Sequence, residues 1–212
     1  MKASPVLLCL ALALFAVLGL GPLLAMLPRI EAADWAQLVE GRVLSLLGRT
    51  AGLGLAVALL ASAIGLPFGF LVARTDLPGA GLWRTLSLAP LLIPTLIQAM
   101  TWVVFVDWRG APATAWILGL SYFPLVSLFA ARAFERIDRR LEEAALLARG
   151  PRGLLRADLG LVWPAVAAGA CLAFAFAIND FGVPDYVSSV GRKFNVYADE
   201  IFANWNQVKR PG

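Results

Sequence analysis

Residues 131–164 read ARAFERIDRRLEEAALLARGPRGLLRADLGLVWP. Seven arginines fall in this stretch: Arg132, Arg136, Arg139, Arg140, Arg149, Arg152 and Arg156. Five acids are interleaved with them: Glu135, Asp138, Glu142, Glu143 and Asp158. The chain on either side is apolar. A charge at the centre of a bilayer costs about 2.5–3.5 kcal/mol on insertion scales, so this block does not lie in hydrocarbon. It reads as a water-exposed loop between two membrane spans. Phe134, Ile137, Leu141, Ala144 or Ala145, and Ala148 recur at helical spacing. Gly150-Pro151 then breaks that helix, and a second helical turn starts near Gly153 and runs toward the next span. The expected product is an amphipathic helix-turn-helix projecting from the membrane surface.

Working outward, five windows contain no charged residue: 3–28, 50–73, 85–106, 110–131 and 159–179. Each is at least 21 residues long, and a helix needs about 20 to cross the hydrocarbon. The expected spans are 4–27, 50–73, 86–106, 111–131 and 160–179. The first exceeds the apolar core of a secretory signal and reads as an uncleaved anchor. Residues 29–49 are expected as a mixed-charge loop. Gly65 and Gly69 in the second span permit close helix approach, and Pro67 is expected to kink it. Ala165, Gly169, Ala173 and Ala177 give the fifth span a smooth face. Phe194, Tyr197, Ile201, Phe202 and Trp205 suggest an amphipathic helix after it.

Composition agrees with a membrane protein. The 212 residues are 60% hydrophobic and 15% charged, whereas soluble domains carry about 25% charged residues. With no histidine, His-based acid–base chemistry and His metal ligation are absent. Cys9 and Cys171 form no Cys-x-x-Cys pair and read as small packing residues. The three lysines, Lys2, Lys193 and Lys209, stand in no phosphate-binding loop, so any ATP use must come from a partner. The net charge of +4 resides in loops between spans, which does not suggest nucleic-acid binding.

Glu143-Ala144-Ala145, with Gly150 following, resembles the cytoplasmic loop of binding-protein-dependent ABC importer permeases. Four residues separate Ala145 from Gly150 where that family usually has three. Arg74-Thr75-Asp76-Leu77-Pro78-Gly79 resembles the segment after the family's second core span. Pro90 and Pro94 match the Pro-rich start of the next span. Asp180-Phe181-Gly182-Val183-Pro184 resembles the branch that carries ferric iron, thiamine and related small solutes.

The resemblance implies an all-α polytopic bundle of the type I importer kind, with five spans present and the sixth missing. It also implies the N-terminal half of a fused permease in the bacterial inner membrane. Glu142, Glu143, Ala144, Ala145 and Gly150 would dock on a partner ATPase. A periplasmic binding protein would deliver solute, ferric iron by this branch, and a second permease half or subunit would complete the path among membrane lipid. No cofactor is implied, and the chain would not be an enzyme. Asn179 and Asp180 read either as the mouth of the path or as a capped helix end. The competing class is a membrane-embedded scaffold or enzyme subunit with no ATPase partner.

Arginine asymmetry places Lys2, the loop 74–84 and the loop 132–156 in the cytoplasm, and residues 180–212 outside. In a chain lacking Cys9 and Cys171, an impermeant maleimide should label Ser189→Cys in intact cells. Arg152→Cys should react only after permeabilisation, and labelling from outside would reverse the orientation.

Overall fold

A computed structural model describes residues 5–26, 41–106, 108–190, 196 and 197. Two units are present, residues 1–45 and 46–212. In the first, α1 (Pro5–Met26) is an uncharged helix of 22 residues. The second is built on α2 (Gly41–Arg74), which begins at Gly41 in the first unit. It continues through α3 (Ala80–Leu86), α4 (Ala89–Leu92), α5 (Thr95–Phe105), α6 (Ala111–Glu135), α7 (Arg139–Asn179) and α8 (Gly182–Val190). Among the described residues α2, α6 and α7 are long and apolar enough to cross a membrane. The segment from α3 to α5 makes a fourth crossing if its bent halves are one span.

Three helices meet around Val126. A Cβ on Gly65 of α2 would lie 2.8 Å from the Phe123 carbonyl oxygen and 2.8 Å from the Val126 Cβ. A Cβ on Gly169 of α7 would lie 2.8 Å from the Val126 Cα. Absence of a side chain at these two positions lets α2 and α7 press on the backbone of α6, as small residues do between helices in lipid. Ala61, Val126, Ala130, Phe134, Val162, Val166 and Ala173 fill the core beside the arginine-rich end. Leu53, Val57, Ala99, Ile117, Leu118, Ala177 and Val183 fill the other. At that second end the Trp102 and Trp108 rings both meet Trp116 edge-on, an arrangement suited to a membrane interface.

Several expectations change. Residues 86–106 are not one straight helix: the chain bends by 95° between Leu92 and Thr95. Pro94 has no N–H to donate, and a residue before proline is driven from the helical region. Ile93 accordingly sits at φ −90°, ψ 124°. Arg42 and Arg49 lie on α2, not in a loop. No single face runs from Phe134 to Ala148, because α6 ends at Glu135 and Asp138 caps a new helix by accepting from the Arg140 N–H at 3.0 Å. Phe134 is buried on α6, while Leu141 is exposed. The helix expected over 194–207 falls, apart from Val196 and Tyr197, outside the described residues.

Gly169→Val should destabilise the bundle by about 1–3 kcal/mol, the usual range for overpacking. Gly52→Val, where a Cβ meets nothing within 4 Å, is the control. Thermal unfolding of the purified chain in one detergent reads the difference.

Candidate functional site

The predicted functional residues fall at the two ends of α7. At the charged end, the short linker Arg136–Asp138 turns the chain from α6 into α7. Gly150, at φ 66° and ψ −164°, then divides α7 into a first arm (139–149) and a second arm that continues from Pro151 to Asn179. A side chain is strained at that φ, and Pro151 suits the first position of the renewed helix. The arms stay close at the bend: a Cβ on Gly153 would run into the Arg149 Cβ and lie 3.1 Å from the Ala145 carbonyl oxygen.

The neighbouring acids of the first arm have opposite fates. Glu142 turns inward and pairs with Arg74, the last residue of α2; both side chains are 18% exposed. Glu143 and Ala144 are exposed, and so is Leu147, at 88%. Arg140, Glu143, Ala144 and Leu147 follow the i, i+3, i+4, i+7 rule and share the outer face. Ala145 is half-buried on the inner side. Arg84 of α3 pairs with Glu135, which also pairs with Arg132 at 3.1 Å. Asp158, on the second arm, is 7% exposed. Sequence reasoning did not single out Arg74, Arg84 or Asp158 as site residues. The signal was the position of these charges beside apolar windows; their partners lie too far along the chain to be read from spacing.

At the far end, the Asn179 amide is exposed and donates to the Ala175 carbonyl at 2.7 Å. The Asp180 carboxylate is half-buried. It accepts from the Thr95 hydroxyl at 2.7 Å, the Tyr122 hydroxyl at 3.3 Å and the Val183 N–H at 3.1 Å. It therefore caps α8 and ties the start of α5 to α6. The break before α5 is closed by Gln98, whose Nε2 donates to the carbonyls of Pro90 at 2.7 Å and Ile93 at 3.1 Å. The Ser121 hydroxyl lies 3.0 Å from Gln98 Oε1. Gln98, Ser121, Thr95 and Tyr122 thus form a polar seam between the broken segment and α6. None was predicted, although a glutamine in a charge-free window was a usable signal.

No family model matches the chain. It is 30% identical to the molybdate/tungstate transport system permease protein WtpB of Thermococcus kodakarensis over 74% of this chain and 66% of that protein. It is 29% identical to the molybdenum transport system permease protein ModB of Escherichia coli K12 over 65% of this chain and 71% of that protein. It is 32% identical to the Fe(3+)-transport system permease protein FbpB 2 of Haemophilus influenzae over 51% of this chain, but only 22% of that protein. Its homologues are transport-system permeases. Such permeases are non-enzymatic subunits, and the apolar helices described above suit a multi-pass membrane protein. Against the first three relatives matched, the chain spans between 51% and 66% of their length.

Gln98→Leu removes the donor that closes the broken segment and leaves carbonyls of Pro90 and Ile93 without it. The expected loss is about 1–3 kcal/mol, read as a lower unfolding midpoint than that of Ile97→Leu, an exposed neighbour.

Proposed function

We propose that the chain is the membrane-spanning permease subunit of an ABC importer for a molybdate-like tetrahedral oxyanion, working in the bacterial inner membrane. The observation that carries this reading is the first arm of α7. It is a capped helix outside the apolar spans, with an outer face of Arg140, Glu143, Ala144 and Leu147 that nothing in the chain covers among the described residues. An exposed leucine beside small and charged residues suits a groove on a partner protein. The resemblance of Glu143-Ala144-Ala145 and Gly150 to the permease loop supplies the partner: an ATPase whose motion reaches the spans through this arm. A binding protein delivers solute on the other side, and a second permease subunit or half faces the first across the path. Alternating access then follows from rigid rocking of the packed helices.

The solute reading moves from ferric iron to an oxyanion. The relatives covered over about two thirds of their length carry molybdate, tungstate or molybdenum in their names, whereas the iron permease is matched over 22% of its length. The Asp180 carboxylate is engaged by two hydroxyls and a backbone N–H, so it is not presented as a free ligand for Fe(3+). A scaffold or enzyme subunit without an ATPase has no comparable support.

Ala144 is exposed, so Ala144→Trp changes the docking face without disturbing the chain's own core. The variant should insert normally, lose the co-purifying ATPase and lose molybdate uptake. Glu143→Gln should be milder, since an exposed ion pair contributes about 0–1 kcal/mol. Normal ATPase binding and uptake by Ala144→Trp would remove the main support for this reading. Uptake of ferric iron rather than molybdate by the wild type would restore the iron assignment.

A further inference from the structure

The ionic contacts at the charged end have a geometry that docking alone does not require. Arg74 ends α2, and two acids approach it from opposite sides of the Gly150 break. Glu142 on the first arm pairs with it directly. Asp158 on the second arm lies within its electrostatic reach. Asp158 is 7% exposed, and its Oδ1 has no hydrogen-bond partner. One guanidinium therefore pairs with Glu142 and attracts the buried Asp158 carboxylate as well. Guanidinium carries five donors in a fixed fork and does not lose its charge, which suits it to hold two acids at once.

We propose that Arg74 is a positioning residue that clamps the two arms of α7 together across Gly150, and so fixes the angle at which the first arm meets the ATPase. Among the described residues no salt bridge joins the two arms directly. Gly150 takes a backbone conformation that tolerates rotation, and the outer face of the first arm is uncovered. With Arg74 present, the two carboxylates are drawn to a common point at the end of α2. Without it they repel, because two like charges in a poorly solvated place disfavour one another. The arm then swings from Gly150. Arg84 with Glu135 and Arg132 makes a separate tether, from α3 to the end of α6, and does not reach either arm. Push on the first arm thus passes through Arg74 to α2, in addition to passing along the chain into the rest of α7. This role in transport rests on the permease reading above, whereas the clamp itself does not.

Arg149 and Arg152 are exposed on either side of Gly150 and are natural trypsin sites. The full-length permease is purified in detergent without the ATPase, and cleavage at these two arginines is timed. Arg74→Gln should speed cleavage about tenfold, since proteolysis follows the population of the open form. Glu142→Gln should do the same to a smaller degree and serves as a second variant if Arg74→Gln expresses poorly. Adding Glu142→Gln and Asp158→Asn to Arg74→Gln should slow cleavage again, because the orphaned charges are gone; a residue that merely packs would not give this recovery. In the assembled transporter, Arg74→Gln should keep the ATPase bound but lose the stimulation of ATP hydrolysis by the loaded binding protein. Unchanged cleavage in both single variants overturns the clamp. Faster cleavage with normal stimulated hydrolysis overturns the positioning role. A wild type that binds no ATPase defeats the permease reading instead, and the cleavage series still decides the clamp.

Discussion

Val126 is the point on which the bundle depends. Gly65 and Gly169 face it from two helices, and neither position has room for a side chain. In water such a junction would be driven by the hydrophobic effect. In lipid that drive is absent between helices, because the hydrocarbon tails are as apolar as the side chains. What remains is close contact, individually weak and collectively large. Backbone against backbone gives more of it than leucine against leucine. The remaining apolar surface of α2 and α7, including Leu55, Leu59, Leu172 and Phe176, stays exposed and is available to lipid or a second subunit.

A bundle held in this way is built of tightly packed blocks, linked at the charged end by few contacts. α6 and α7 are joined by a short capped linker, and α2 has its own ionic contact with the first arm at Arg74. Both routes lead to the helices that meet at Val126. The far end is tied by Asp180, which joins the start of α5, α6 and α8 through three donors. A carboxylate in that role is a structural knot.

The sequence was most legible where the physics is binary. Charge in hydrocarbon is costly, so the spans expected from the apolar windows fall inside α2, α6 and the second arm of α7, although α2 and that arm each begin well before those spans. The break at Gly150-Pro151 was readable because glycine and proline act locally. The partition of Glu142 from Glu143 was not, since adjacent residues differ only in helical phase and the cap at Asp138 sets that phase. The 95° bend was hidden for a different reason. Pro90 and Pro94 marked irregularity, but a break inside the membrane is possible only if its carbonyls find donors, and Gln98 meets them through folding. Arg74 was noted as part of a motif, while its partner on α7 is set wholly by tertiary structure.

The two breaks obey one rule in two solvents. Backbone groups freed in hydrocarbon must be met by the protein, so the bend at Ile93-Pro94 carries its own glutamine and a serine beside it. Such a joint is fixed, because opening it would strand polar groups in lipid. Backbone freed at Gly150 faces water and needs no such repair, so the chain can bend there at little cost. What the second joint lacks is an intrinsic angle. The ion pair of Glu142 with Arg74 ties the first arm to the end of α2 and so helps to set one. The rigid break therefore suits an apolar span, and the adjustable one suits the charged end of the bundle.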